Sequence, residues 1–300
     1  MRKNVKKQLA LRVLSTAALV AMVSSIATAA FAAEYDVTKG SVDILAEGGK
    51  QYITQWEDKD KDTCVKDGKG KEIRDREDSD ITLTTKNKDT GKTETAHNTV
   101  TIDAKEGNTA NVTLKDVDIE VDTVKAKSGA IEIKGDGNTN LELNGDNTVL
   151  VKNNWSEEHA AIEKADKYGT GTLTITDDKN DDGTAKDKDE NGNAAGGDTG
   201  KLVAGGYHDA AAIGGGGTDD TACTSNITIT GGKITANGGT YGAGIGGGYF
   251  GDASNIRIEG NADVTAFGDS GAAIGSSYHS RGNSDITITD HATVEAASVE

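Results

Sequence analysis

Between residues 98 and 300 the chain repeats itself at intervals of about 30 residues, and this recurrence restricts its fold more than any other feature. Ala212-Ile213-Gly214-Gly215-Gly216, Gly244-Ile245-Gly246-Gly247-Gly248 and Ala273-Ile274-Gly275-Ser276-Ser277 follow one another at spacings of 32 and 29. Each is followed by an alternating stretch, Asn226-Ile227-Thr228-Ile229, Asn255-Ile256-Arg257-Ile258 and Asp285-Ile286-Thr287-Ile288, at spacings of 29 and 30. Ile234, Val264 and Val294 mark a third stretch at intervals of 30. Upstream, Ile102, Ile131 and Ile162 mark the first stretch. Val112/Leu114, Leu141/Leu143 and Leu173/Ile175 mark the second, and Ile119, Val149 and Leu202 the third. The distances Ile162 to Ile213 (51), Ile175 to Ile229 (54) and Val149 to Leu202 (53) are all too long, so the three registers agree on one insertion between Ile175 and Leu202.

Alternation with period two makes each stretch a strand with one apolar face. A single turn of three short strands cannot bury that face, so turns must stack. The expected fold is all-β: a right-handed parallel β-helix of about six coils, each of three strands, rising about 4.8 Å per coil. With 39 glycines, no proline and 4% aromatic residues, the composition suits strands and tight turns. Almost no helix is expected. One corner column reads Asp116, Gly145, Asp177, Gly231, Gly260 and Asp290, residues that tolerate positive φ or close Asx turns. Another, Asn111, Asn140, Thr172, Asn226, Asn255 and Asp285, can form a polar ladder between coils.

The phrases Gly242-Ala243-Gly244-Ile245-Gly246-Gly247-Gly248 and Gly171-Thr172-Leu173-Thr174-Ile175-Thr176, with the opening Tyr35-Asp36-Val37 and Gly40-Ser41-Val42-Asp43-Ile44, resemble the repeats of secreted β-helical carbohydrate-binding-domain proteins of clostridia and their relatives. The likeness covers most of residues 35 to 300. It implies a right-handed parallel β-helix that binds plant-type polysaccharide and often calcium.

Residues 1–32 have the layout of a signal peptide. Arg2, Lys3, Lys6, Lys7 and Arg12 precede an apolar run from Leu14 to Val23, and Ala30-Phe31-Ala32 offers small side chains at a cleavage point. The apolar run is too short for a membrane span. Removing this segment leaves 27 basic and 49 acidic residues, a formal charge of −22. Such a surface repels nucleic acid and anionic lipid and attracts cations. The expected protein is therefore secreted or held at the cell surface, with neither nucleic-acid nor membrane partners. Residues 33–97 are read as N-terminal cap strands carrying a charged insertion at 56–80, which opens with Trp56 to Asp62, and 98–300 as the β-helix with an acidic insertion at 177–200. No cap follows the last coil at Glu300, so a partner is expected to cover it or further chain to follow.

Five aromatic residues recur near coil corners. Trp155, Tyr207 and Tyr241 precede a first strand by four to seven residues, and Tyr249 and Tyr278 follow one by four, with Phe250 and His279 beside them. Flat rings along a solenoid can stack on sugar rings, or they can simply cover the edge of the column. In the acidic insertion, Asp178, Asn180 and Asp182 before Gly183, with Asp189 at the twelfth position, follow a calcium-loop pattern. A second frame starting at Asp187 shares Asp189, so the two cannot both be filled. The same residues equally form a solvated acidic loop.

Several enzyme-like patterns carry no site. Gly242-x-Gly244-x-x-Gly247 has no helix behind it to receive a phosphate. His97, His159 and His208 fall near equivalent corners without a paired Ser or Cys and without metal-ligand spacing, and Arg257 and Arg281 occupy different coil positions. Cys64 and Cys223 lie about four coil steps apart, on the order of 19 Å, which is too far for a disulfide. The expected function is non-catalytic binding of an extracellular polysaccharide, either a neutral glucan or a pectin-like chain bridged by Ca2+. A structural adhesin or autotransporter-like stalk and a pectin-active lyase or hydrolase are the alternatives.

Overall fold

The computed structural model describes residues 33–57, 61–152, 158–177, 199–217, 220–282 and 284–298. It is a parallel β-helix of six coils, built as three sheets whose strands pair with the equivalent strand of the next coil. The first sheet runs through Val100–Ala104, Ile131–Lys134, Ile162–Glu163, Ile213–Gly214, Ile245–Gly246 and Ile274–Gly275. The second runs through Thr109–Lys115, Asn138–Asn144, Leu173–Asp177, Thr224–Ile229, Ala253–Ile258 and Ile286–Ile288, and the third through Asp118–Asp122, Asp146–Lys152, Lys201–Gly205, Lys233–Asn237, Asp263–Gly268 and Thr293–Ser298. Helical structure among the described residues is confined to a turn at Thr123–Ala126 and short 3-10 turns at Val37–Lys39 and Asp166–Tyr168. None is long or apolar enough to cross a membrane.

The apolar faces meet in one continuous core. Val100, Ile131, Ile162, Ile213 and Ile245 stack as register partners and are fully buried, and each coil loses most of its apolar surface only because its neighbours cover it. Three registers differ by two residues from those read by spacing. Val100 rather than Ile102 pairs with Ile131, Ile175 pairs with Leu141, and Leu202 pairs with Asn147. A slip of two keeps every side chain on its face, so the core survives. Its cost is the inward placement of Thr139, Asn147 and Asp177. Asn147 takes the Val117 N–H at 3.0 Å and donates to the Lys201 carbonyl at 3.1 Å, and Asp177 takes the Gly200 N–H at 2.7 Å. These bonds satisfy Asn147 and Asp177, whereas the buried Thr139 hydroxyl has no hydrogen-bond partner among the described residues.

The corner columns are partly as read. Asp116, Gly145, Gly260 and Asp290 hold positive φ, but Gly232 takes that role in the fourth coil instead of Gly231, and Asp177 turns into the core. The asparagine ladder forms in pairs: Asn140 donates to Asn111 at 2.8 Å and Asn255 to Asn226 at 2.7 Å.

At the N-terminal end, Ser41–Glu47 lies parallel on Val100–Ala104 and folds back antiparallel onto Lys50–Trp56 through Gly48 and Gly49. Both glycines have positive φ, as a two-residue hairpin turn requires. Gln51 seals the neighbouring sheet, because its side-chain amide donates to the Asn111 carbonyl at 3.0 Å and accepts the Asn111 N–H at 2.6 Å. It thereby extends by one residue the pairing that Ile81–Thr84 gives the same strand from Val112 onward. Cys64 is buried beside this hairpin in a bridge with Trp56, and Cys223 sits in the fourth coil with its Sγ facing the Asp252 N–H at 3.5 Å.

Candidate functional site

The first sheet turns a corner directly after its isoleucines, and in the last two coils that corner carries paired rings. Beyond Ile245–Gly246 the chain reaches Tyr249 and Phe250, and beyond Ile274–Gly275 it reaches Tyr278 and His279. Backbone bonds lace the turns together. Phe250 N–H donates to the Tyr278 carbonyl at 3.2 Å, Tyr278 N–H to Tyr241 at 3.3 Å, Tyr241 N–H to His208 at 2.8 Å and Tyr249 N–H to Asp209 at 2.7 Å. Ser277 supports the corner by accepting the Gly251 N–H and donating to the Gly248 carbonyl.

Two short ring columns result. Tyr249 and Tyr278 lie 6.4 Å apart with planes inclined by 12°, and Phe250 and His279 lie 5.6 Å apart at 21°. Tyr241 joins both tyrosines at 5.4 and 5.5 Å, and His208 meets Tyr241 edge-on at 5.4 Å. Phe250 and His279 hold φ of 62° and 61°, a left-handed conformation that bulky side chains resist. Strain of this kind persists where surrounding structure imposes it, and it gathers at functional surfaces. Phe250 is 47% and Tyr278 40% exposed, so the patch faces solvent.

Of the five aromatic residues singled out from the sequence, Tyr241, Tyr249 and Tyr278 come together. Tyr207 is exposed but makes no ring contact among the described residues. Trp155 lies outside the described residues, as do Asp178, Asn180, Asp182 and Asp189 of the calcium-loop pattern.

Glu158, His208 and Asp209 stand at the foot of the ring patch, with one ligand atom from each within 4.8 Å of the others. His208 Nδ1 is 3.1 Å from Glu158 Oε1 and 2.7 Å from Asp209 Oδ1. Burial, followed by the hydrogen bond and the charge of Asp209, pushes the Glu158 carboxyl up to about 8. Gly217 leaves room for this group, since a Cβ there would lie 2.6 Å from Glu158 Oε2. The arrangement offers hydrogen-bond donors and acceptors at the edge of an apolar ring surface.

A deeper polar group lies one step down the column. Glu163 is fully buried, with its Oε2 2.9 Å from His159 Nδ1 and accepting the Ala160 N–H at 3.0 Å. Glu132 beside it is paired with Lys134 at 2.7 Å. Lys164 is equally buried, donating to the Gly169 carbonyl at 3.2 Å, and desolvation holds its ammonium below the usual lysine range while Asp166 opposes the shift. A separate cavity of about 550 Å³ near the N-terminal end is lined by Lys61, Lys125 and Lys152. Its charge is spent, because these lysines pair with Asp43, Asp122 and Glu120.

Sequence reasoning missed Glu158, Asp209, Glu132 and Glu163. The last two had a readable signal: Ala130-Ile131-Glu132 and Ala161-Ile162-Glu163 place glutamate where Ala212-Ile213-Gly214 places glycine. No family model, curated protein or solved structure matches the chain.

Proposed function

We propose that the protein is a non-catalytic binder of extracellular polysaccharide, which it grips on the ring patch of Tyr241, Tyr249, Phe250, Tyr278 and His279. The observation that carries this reading is the repeated presentation of rings at equivalent turns of adjacent coils, two of them in strained backbone conformations and several open to solvent. Sugar rings present apolar C–H faces to such a surface, while their hydroxyls can bond to the Glu158, His208 and Asp209 group beside it. The export-type first 32 residues and the likeness of the Gly242–Gly248 repeat to carbohydrate-binding β-helices agree with it. Glycosidase carboxylates flank the scissile bond at about 5 Å or more, whereas Glu158 and Asp209 crowd onto one imidazole nitrogen, 3.1 and 2.7 Å from His208 Nδ1, and this supports binding without cleavage.

A glycan array probed with and without calcium tests the reading and distinguishes a neutral glucan from an anionic chain that needs a bridging cation. On the best ligand, the double substitution Tyr249→Ala, Tyr278→Ala is expected to cost about 2 kcal/mol, roughly thirtyfold in Kd. Unchanged affinity in a folded double variant would assign the column to a structural stalk instead.

A further inference from the structure

Glu132 and Glu163 are direct partners across adjacent strands of the first sheet, on the face opposite the core isoleucines. In the three following coils this position is Gly214, Gly246 and Gly275. Outward-pointing carboxylates would normally meet water. Here Glu132 is 4% and Glu163 0% exposed, because the segment 158–161 folds over them and brings His159, itself 8% exposed, against Glu163. Gly216 completes the cover, and a Cβ there would come within 3.0 Å of Glu163 Oε2.

Two stacked, buried carboxylates repel one another and cost free energy unless cations balance them. Lys134 balances one from the side, and Tyr168 lies against that ammonium, 4.9 Å from ring centre to Nζ. Glu163 Oε1 remains without a hydrogen bond of normal geometry inside a fully buried side chain. One oxygen or nitrogen from each of Glu132, His159 and Glu163 lies within 4.8 Å of the others.

We propose that Glu132, His159 and Glu163 form a binding site for a divalent transition-metal ion of the zinc class, which ties the second coil to the third and pins the segment 158–161. A mixed set of one imidazole and two carboxylates suits zinc and its neighbours, whereas calcium and magnesium prefer oxygen throughout. With Lys134 already balancing Glu132, a doubly charged ion supplies the positive charge that Glu163 lacks and gives Glu163 Oε1 a partner. The residues are distinct from the ring patch, so the site stands whether or not the protein binds glycan.

The test is zinc content. Full-length chain is stripped with chelator, exposed to Zn2+ in a millimolar excess of Ca2+ that occupies oxygen-only sites, gel-filtered and analysed by elemental mass spectrometry. About one retained zinc per chain is expected, with a higher melting temperature than the stripped protein. His159→Ala and the near-isosteric Glu132→Gln should each weaken zinc binding roughly tenfold or more, while Tyr249→Ala, Tyr278→Ala should leave it unchanged. Cobalt absorption bands in the stripped protein, lost in His159→Ala, provide a second readout of imidazole ligation. Failure of the parent to retain zinc, or full retention by either folded single variant, would overturn the proposal.

Discussion

A Gly246→Val chain is expected not to reach the folded state. Gly246 has a φ of 141°, and a Cβ built there would lie 1.9 Å from the Gly275 carbonyl oxygen of the next coil. Neither side can yield. The Gly247 N–H bonds to that same oxygen at 3.0 Å, and the Gly246 carbonyl in turn receives the Gly215 N–H at 2.8 Å. Moving one coil to admit a side chain therefore breaks the bonds to the next, and in a stacked column each coil is stable only through its neighbours. The loss exceeds the few kcal/mol that a marginally stable domain can absorb. Soluble yield and a cooperative thermal melt followed by circular dichroism check this, with Gly68→Ala as control because no atom lies within 4 Å of its added Cβ. A Gly246→Val protein melting within a few degrees of the parent would mean that the coils do not stack backbone to backbone at this corner.

That glycine column also shows how far the fold could be read in advance. Ile213, Ile245 and Ile274 at nearly constant spacing announce stacked coils, because only a solenoid needs the same apolar residue beside the same turn residue every 30 positions. Registers two residues off could not be detected, since Ile102 and Val100 face the same way and spacing weighs them equally. What separated them was bonding that no spacing encodes, such as Asn147 reaching the Val117 amide from inside the column. The rings at Tyr249 and Tyr278 were legible for the same reason as the isoleucines: they recur. The grouping of Glu158 and Asp209 around His208 was not, because the two carboxylates come from different coils, about 50 residues of chain apart, and repeat nowhere. Repetition reveals what every coil must do, and individual chemistry is placed where the repeat is broken.

Glu158 is one such break, and it is expected to make the protein less stable as the pH rises. Its carboxyl is pushed from 4.5 up to about 8 by burial, by the hydrogen bond to Asp209 and by that residue's charge, while His208 faces the same pair at 3.1 and 2.7 Å. Between those two pH values the folded chain keeps a proton that the unfolded chain has already released. Stability contributed by that proton is therefore complete below about pH 4.5, falls through the window and is lost above about pH 8. Other groups titrate over the same range, so the informative quantity is a difference between two proteins. Glu158→Gln keeps a donor to Asp209 at every pH and cannot ionise. Relative to this variant, the parent should lose a few degrees of melting temperature between pH 5 and pH 9, measured in chelator so that no bound ion contributes. A parent-to-variant difference that stays flat across that range would mean Glu158 is ionised in the folded protein, and that water or a cation, rather than a shared proton, holds it beside Asp209.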